Sequence, residues 1–229
     1  MIEIPGFDEQ TMYDAETTFN LTMTKERLAK FIAHYEVMKM VKDIPGHIIE
    51  CGVFKGTSLA RFAAIRNLIG NDFSAKIIGF DVFSDEFPTT EFEEDNEQRD
   101  HWLETAGSSS IDIKQLKTIF NHHGVDNFEL IPGDICETVP HYAKNNPGIK
   151  ISLLNIDCDF VEPTFCVLEN FFEKVMPGGI ILLDNYSGEG TSGISYHGDT
   201  KGVDNYFKGQ KVKIQRFPWA ARPCYIIKT

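Results

Sequence analysis

Residues 47–58 read HIIECGVFKGTS, a short apolar run followed by a turn that contains two glycines. The apolar run predicts a buried strand, because it is too short for a helix and is bounded by turn residues. After the turn, residues 57–69 place apolar side chains at helical spacing and predict a helix. A buried strand that leads through a glycine-rich turn into a helix is typical of the first unit of a parallel α/β sheet.

Four more apolar runs of strand length follow along the chain: KIIGF (76–80), FELIP (128–132), ISLLNI (151–156) and GIILL (179–183). Because these runs do not alternate with polar residues, we expect strands that are covered on both faces. Residues 211–217 and 224–229 flank a proline-containing turn and predict an antiparallel pair. The sequence therefore predicts the α/β fold class, with a doubly wound, mainly parallel seven-stranded sheet and an antiparallel C-terminal edge pair.

The remaining segments predict helices within a single domain, residues 1–229. Residues 25–41 carry apolar side chains at helical spacing, and they form the main part of a helical leader over residues 1–45. Further helices are predicted over residues 113–120 and 163–175, the second of which starts with a proline in its first turn.

The segment 84–110 breaks the alternation of strands and helices. It is acidic, ends in a Gly-Ser-Ser-Ser run and is too long for a routine connection. Two interpretations remain open: a lid over the site, formed by an insertion at residues 84–123, or a solvated surface excursion.

The composition limits the classes of partner. The formal net charge is −12, which argues against nucleic acid, because a protein that neutralises phosphates needs a basic surface. The N-terminal residues do not resemble a signal peptide, and no apolar run approaches the roughly 20 residues that span a bilayer, so we expect a cytoplasmic protein without a membrane partner. The five cysteines form no CxxC pair and indicate neither disulfides nor a zinc site.

Ligands of an open parallel sheet bind outside the carboxyl ends of its strands. Glu50 and Gly52 follow the first predicted strand, Asp81 ends the second, and Asp134 with Ile135 follows the third. A glycine lets the backbone approach a ligand, and an aspartate after the second strand can accept hydrogen bonds from both hydroxyls of a ribose. Each feature alone is also typical of an ordinary turn, but the three in order predict a nucleotide site. The spacing matches neither GxGxxG nor a phosphate loop.

A second polar group follows the fourth and fifth predicted strands. Asp157 ends the fourth strand, and Asp184 and Asn185 end the fifth. Because adjacent strands lie roughly 4.8 Å apart, these side chains can converge on one point. Their oxygens suit Mg²⁺, Mn²⁺ or Ca²⁺, so the sequence predicts a divalent-metal site. The alternative is a set of carboxylates that cap helices or line a solvated edge.

The order of the motifs ExGxxxGxS, GFD, GD, LLNIDCD and PGGIILLDN, over residues 47–185, resembles that of class I S-adenosylmethionine methyltransferases. Within this superfamily the chain is similar to the macrocin O-methyltransferase (TylF-like) family, which methylates sugar hydroxyls in natural-product pathways. The matching pieces are Thr22-Met23 with Arg27-Leu28, IIECGVFKGTS, IDCDFVEPTFCVLENFFEKVMPGG and LLDNY.

This resemblance implies a role for each strand-end residue. Around the methionine part of S-adenosylmethionine it implies Glu50, Gly52, Gly56 and Ser58. It implies Asp81 at the ribose, Asp134 and Ile135 at the adenine, and Met23 over the cofactor. Val53, Phe54, Gly133 and Asp157 complete the cofactor-binding set. The carboxylate two residues after the first metal ligand is the proposed base of the family, and it corresponds to Asp159.

The chain departs from the family at the metal site. The family usually carries Asp-Asp where this sequence has Asp184-Asn185. The trio of Asp, Asp and Asn is similar to the metal ligands of catechol O-methyltransferases. Those enzymes, however, use a lysine three residues after the first Asp, where this chain has Phe160. A sugar is therefore favoured over an aromatic diol as the acceptor.

The sequence predicts an S-adenosylmethionine- and divalent-metal-dependent O-methyltransferase. Its acceptor would be a small molecule with vicinal hydroxyls, as on a sugar of a glycoside or nucleotide-sugar. The glycine-rich segment 186–204 would line the acceptor pocket, with His197 as a second candidate base. Three alternatives remain: a catechol-type enzyme, a non-catalytic nucleotide-binding module, and a dehydrogenase. An exposed edge strand or the leader helix could also pair subunits into a homo-oligomer.

Overall fold

The computed structural model describes residues 9–70, 73–107, 109–186 and 197–229. The strands are β1 His47–Cys51, β2 Ile77–Asp81, β3 Phe128–Pro132, β4 Ile151–Ile156, β5 Val175–Leu183, β6 Gln215–Arg216 and β7 Cys224–Ile227. The helices are α1 Glu9–Thr22, α2 Lys25–Val41, α3 Thr57–Ile69, α4 Glu93–Ala106, α5 Ile113–His122, α6 Ile135–Asn145, α7 Val161–Phe171 and α8 His197–Tyr206.

The strands form one seven-stranded sheet in the order β3-β2-β1-β4-β5-β7-β6. The first five strands in this order pair in parallel, whereas β7 is antiparallel to both β5 and β6. The chain proceeds from β1 outward to β3 and then returns to β4 on the other side of β1. A crevice for ligands is expected where the strand order reverses, which here is at the carboxyl ends of β1 and β4. The predicted fold class and the antiparallel C-terminal pair are confirmed.

Hydrophobic clusters cover both faces of the sheet. Neighbouring residues of a strand point to opposite faces, so Ile48 packs with α2, α3 and α5, whereas Ile49 packs with α6, α7 and α8. Both side chains are buried, as are their neighbours Ile77 and Ile78 on β2. The continuous apolar runs of the sequence therefore reflect strands that are buried on both sides.

Several predicted boundaries differ from the structure. The helix predicted over residues 163–175 begins at Val161 and ends at Phe171, and a 3₁₀ turn then leads directly into β5. Strand β5 begins at Val175 and passes through the Pro-Gly-Gly segment, which was expected to precede it. Gly178 has a φ of +83°, and its N–H donates to the carbonyl of Lys228 on the neighbouring edge at 2.8 Å. The glycines thus fit an irregular strand and do not end a helix.

Helices α1, α4 and α6 were not predicted as separate elements from the sequence. Helix α1 lies in the leader, and α4 lies within the acidic segment 84–110. Across the described ranges, no helix has the length and apolarity needed to cross a membrane.

Candidate active site

A cleft of about 780 Å³, including its open mouth, lies at the carboxyl edge of the sheet. Seven of the predicted site residues line it: Gly52, Phe54, Asp81, Asp134, Ile135, Asp157 and Asp159. The other predicted residues do not line this cleft: Met23, Glu50, Val53, Gly56, Ser58, Gly133, Asp184 and Asn185. The strand ends that the sequence singled out therefore meet at one place, although half of the predicted residues lie behind or beside it.

Glu50 is a fully buried carboxylate two residues before the cleft residue Gly52. Its Oε1 accepts a hydrogen bond from Asn155 Nδ2 at 2.8 Å, whereas its Oε2 is buried and has no partner among the described residues. Burial, with the nearby charge of Asp157, raises the pKa of Glu50 well above its ordinary value. A buried acceptor without a partner is costly, so this oxygen suits a cationic donor from a ligand.

The turn after β1 contains two glycines with different roles. Gly52 has a φ of +91°, and a Cβ on it would lie 1.9 Å from the carbonyl oxygen of Asp157. The close approach of β1 and β4 thus requires this glycine. Gly56 has a φ of +79° and precedes α3, and a Cβ there would lie 3.2 Å from the Leu116 side chain. Gly56 therefore serves the start of a helix and its packing on α5, while Ser58 is buried in the first turn of α3.

The carboxylate of Asp81 connects β2 to this turn. Its Oδ2 accepts hydrogen bonds from the backbone N–H groups of Val53 and Phe54, both at 2.8 Å, and its Oδ1 accepts one from Phe83 at 3.2 Å. Two carboxylate oxygens offer about four acceptor positions, so one remains for a ligand hydroxyl. The structure therefore gives Asp81 a structural task that the sequence did not indicate.

The third strand ends in the turn that starts α6. Asp134 caps this helix, because its Oδ1 accepts from the N–H of Cys136 at 2.8 Å, and Asp134 and Ile135 both line the cleft. Gly133 donates its N–H to the carbonyl of Asp81 at 2.9 Å and does not line the cleft. Met23 lies half-buried between α1 and α2, and it is also absent from the lining.

An aromatic wall, formed by Phe54, Phe87 and Trp102, closes one side of the cleft. The ring centroids of Phe54 and Trp102 are 4.3 Å apart, and those of Phe87 and Trp102 are 5.3 Å apart. Trp102 belongs to α4, which is held by Asp95, whose Oδ2 accepts from the N–H of Val161 at 2.8 Å. The sequence prediction included Phe54 but not Phe87 or Trp102. The available signal was the presence of three aromatic residues, Phe87, Phe92 and Trp102, within an otherwise acidic segment.

A lysine joins the two carboxylates that were predicted to hold a metal. The Lys30 Nζ lies 2.6 Å from Asp184 Oδ2 and 3.2 Å from Asp157 Oδ2. Burial alone would lower the pKa of Lys30, but the carboxylates of Asp157 and Asp184 outweigh it and raise this pKa. Burial alone would raise the pKa of Asp184, but the ammonium of Lys30 outweighs burial and lowers this pKa below its ordinary range. The two aspartates thus meet as predicted, with a charged side chain between them that the sequence did not reveal.

Asn185 lies at the centre of an acidic corner. Its Nδ2 lies 3.0 Å from Asp157 Oδ1, 2.5 Å from Asp159 Oδ1 and 3.2 Å from Asp199 Oδ2, so its two N–H groups are shared among three acceptor oxygens. Its Oδ1 accepts from the guanidinium of Arg222. A guanidinium can only donate, so Arg222 fixes the amide with its oxygen turned toward the arginine and its NH₂ toward the carboxylates.

The arrangement does not fit a divalent ion bound by Asp157, Asp184 and Asn185. An ammonium occupies the position between the two carboxylates, and the asparagine presents donor hydrogens where a metal requires an oxygen. Within the part of the chain that the structure describes, no group of three His, Cys, Asp or Glu side chains could hold a metal ion.

Asp159 is the predicted base, and it lines the cleft in a left-handed conformation with a φ of +65°. Burial, with the charge of Asp157, raises the pKa of Asp159 well above its ordinary value. The segment 187–196 and the side chain of His197 lie outside the described residues, so the predicted acceptor pocket and second base are not located.

Comparison with protein-family models identifies the family of this chain. The model of the macrocin O-methyltransferase (TylF) family matches residues 7–204. The chain belongs to this family. A relative in Streptomyces olivaceus, 8-demethyl-8-(2,3-dimethoxy-alpha-L-rhamnosyl)-tetracenomycin-C 4'-O-methyltransferase, is 27% identical over 152 residues. The match covers 65% of this chain and 56% of the relative, so the chain spans little more than half of that protein's length.

Solved structures confirm the fold of a class I methyltransferase. The calicheamicin methyltransferase CalS11 superposes with a TM-score of 0.72 at 22% identity, over 96% of this chain and 87% of CalS11. The O-methyltransferase NovP superposes with a TM-score of 0.70 at 17% identity, over 88% of this chain and 80% of NovP. At these identities the similarity concerns the fold alone.

Proposed function

We propose that this TylF-family chain binds S-adenosylmethionine in the cleft and transfers its methyl group to a hydroxyl of a small sugar-containing acceptor. The observation that carries the proposal is the buried Oε2 of Glu50, which has no described partner. It lies at the carboxyl end of β1, at the point where the strand order reverses. The ammonium of the cofactor's methionine part would supply the missing donor and charge.

The remaining predicted residues are assigned around this contact. Gly52 would face the methionine part, Asp81 would accept from the ribose, and Ile135 would pack on the adenine. The aromatic wall supports this placement, because a purine stacks well on aromatic side chains. We propose that residues 84–123, which carry Trp102 of this wall, act as a lid over the bound cofactor.

Asp159 would take the proton of the acceptor hydroxyl. Its Oδ1 is engaged by Asn185, which leaves Oδ2 for the proton. In the transfer, the acceptor oxygen forms a bond to the methyl carbon, the carbon–sulfur bond of the sulfonium breaks, and S-adenosylhomocysteine leaves. Proton removal by a positioned base typically contributes 10²–10⁴-fold to such a rate, in approximate terms.

The acceptor class is proposed from two relatives whose names specify a sugar. One is the Streptomyces olivaceus rhamnosyl 4'-O-methyltransferase, and the other is CalS11, described as a TDP-rhamnose 3'-O-methyltransferase. We therefore propose a deoxysugar, as a nucleotide-sugar or glycoside. No step here passes through an ion, because the residues at the position where the sequence predicts Mg²⁺ do not fit one.

The proposal is tested with methyl-labelled S-adenosylmethionine and three acceptors: TDP-rhamnose, a rhamnoside and catechol. We expect transfer to a sugar, no transfer to catechol, and a loss of at least about 100-fold in Asp159→Asn. The matched control is Asp85→Asn, which changes an exposed aspartate of the insertion. Transfer to catechol alone would show that the acceptor is an aromatic diol and not a sugar. Binding of S-adenosylhomocysteine without transfer to any acceptor would favour a non-catalytic module.

A further inference from the structure

The position of Lys30 is unusual for a lysine on an N-terminal helix. Its ammonium extends from α2 to the ends of β4 and β5, where it contacts Asp157 and Asp184 across 127 and 154 residues of sequence. A lysine near the surface normally keeps its charged end in water. The Lys30 side chain is only 22% exposed, and that of Asp184 is 1% exposed. A buried ionised carboxylate is costly unless it is paired, and this chain supplies the paired cation from its own sequence.

The neighbouring asparagine is consistent with a site that lacks a bound ion. Arg222 holds the Asn185 oxygen, so the NH₂ group faces Asp157 and Asp159. A donor in that position satisfies carboxylates directly, which is a task that a metal would otherwise perform. Lysine and amide together therefore give Asp157 partners on both of its oxygens.

We propose that the ammonium of Lys30 serves as the fixed cation of this corner, so that methyl transfer by this chain needs no divalent ion. An ammonium has three N–H groups, and Asp157 and Asp184 take two of them. The third is left for an oxygen of the acceptor, which would make Lys30 a positioning residue for the hydroxyl that Asp159 deprotonates. The role of Lys30 as the cation rests on the geometry alone, whereas the statements about methyl transfer and the acceptor hydroxyl rest on the proposed function.

The charge of the corner makes the proposal testable. Four carboxylates meet there, those of Asp157, Asp159, Asp184 and Asp199, beside Lys30 and Arg222. An acidic corner attracts divalent ions unless a cation already compensates its charge, so ion binding distinguishes a corner compensated by Lys30 from one that holds a metal.

The first experiment measures Mn²⁺ binding to the wild-type protein by calorimetry and by the electron paramagnetic resonance signal of free Mn²⁺. We expect no saturable binding up to millimolar Mn²⁺. Saturable binding at micromolar concentration would overturn the proposal, and this result requires no variant to fold.

The second experiment compares Lys30→Met with Lys25→Met, which changes a lysine on the same helix whose side chain is 92% exposed. We expect Lys30→Met to bind Mn²⁺ at least tenfold more tightly than the wild type, while both variants keep their affinity for S-adenosylhomocysteine within about twofold. If Lys30→Met does not fold, Lys30→Gln replaces it. Equal Mn²⁺ affinity in the wild type and the Lys30 variant would contradict the role of the lysine as the cation.

The third experiment separates this proposal from the proposed function. Once an acceptor is found, wild-type turnover in EDTA should remain within twofold of turnover in Mg²⁺, and Lys30→Met should lose at least tenfold in turnover. Turnover that disappears in EDTA and returns with Mg²⁺ would overturn the lysine proposal and leave the methyltransferase intact. Failure to bind S-adenosylhomocysteine would overturn the proposed function. The Mn²⁺ measurements would still show whether Lys30 is the cation of the corner.

Discussion

The carboxylate of Glu50 accepts a hydrogen bond from the side chain of Asn155 at 2.8 Å, and both residues are completely buried between β1 and β4. One oxygen of the carboxylate is thereby satisfied, and the other has no described partner. The fold therefore contains a buried acidic group that is only half compensated, next to the proposed cofactor cleft.

Glu50→Gln should increase stability and reduce cofactor binding. Burial raises the pKa of Glu50, so the folded state binds its proton more tightly than the unfolded chain. The contribution of this group to stability is complete below pH 4.5, which is its pKa in the unfolded chain. It is lost as the pH rises toward the higher pKa of the group in the folded protein. We expect Glu50→Gln to be more stable than wild type by about 1–2 kcal/mol at pH 8 and nearly equal at pH 4.5, measured by urea unfolding.

The control for this prediction is Glu137→Gln, which changes an exposed glutamate in the first turn of α6. It should leave the pH dependence of stability unchanged. A Glu50→Gln variant that is less stable than wild type at pH 8 would show that the carboxylate is fully compensated in the fold.

Gly52→Ala should destabilise the protein strongly. The added Cβ would lie 1.9 Å from the Asp157 carbonyl oxygen, and the residue would have to keep a φ of +91°. We expect a loss of at least about 2 kcal/mol in the free energy of unfolding. Gly148→Ala is the matched control, since a Cβ there meets no atom within 4 Å. Similar unfolding midpoints for the two variants would mean that β1 and β4 can separate without cost.

Trp102→Ala should weaken cofactor binding while the fold persists. Trp102 packs on Phe54 and Phe87 and lines the cleft, so its removal opens one wall. We expect the affinity for S-adenosylhomocysteine to fall about tenfold, a typical consequence of losing one aromatic contact. Trp219→Ala is the control, because Trp219 is 48% exposed and stacks on Phe217 away from this wall. Equal affinities of the two variants for S-adenosylhomocysteine would show that α4 does not contribute to cofactor binding.

His34→Gln should reduce the loss of stability in acid. Burial lowers the pKa of His34 from 6.5 to about 4, so the folded state excludes a proton that the unfolded chain binds. Stability from this group is complete above pH 6.5 and is lost as the pH falls toward 4, by roughly 2 kcal/mol between pH 7 and 5. The variant should show a correspondingly smaller decrease in urea unfolding over that range. His101→Gln, at an exposed histidine, should behave as wild type, and an unchanged slope in His34→Gln would contradict a buried neutral imidazole.

The strands could be predicted because each is buried on both faces and therefore appears as a continuous apolar run. The meeting of Asp157 with Asp184 was also predictable, since both end neighbouring parallel strands. Helix α1 could not be predicted, because its apolar residues Met12, Tyr13, Phe19 and Leu21 are exposed and do not mark a buried face. Helix α4 was obscured by its acidic composition.

The cations of the site, Lys30 and Arg222, could not be predicted for a different reason. The contact of Lys30 with Asp184 depends on how α2 is rotated against the sheet, and 154 residues separate the two in sequence. No local pattern encodes that rotation. In the same way, the hydrogen bond from Arg222 that orients Asn185 comes from the loop before β7. Sequence reasoning therefore found the carboxylates but not the cations that accompany them.

Calorimetric titration of the wild-type protein and Glu50→Gln with S-adenosylhomocysteine measures whether the Glu50 carboxylate binds the cofactor. We expect saturable one-to-one binding to the wild type and at least about tenfold weaker binding to a fully folded Glu50→Gln variant. Absence of binding to the folded wild type, or equal affinity in both proteins, would contradict this role of Glu50.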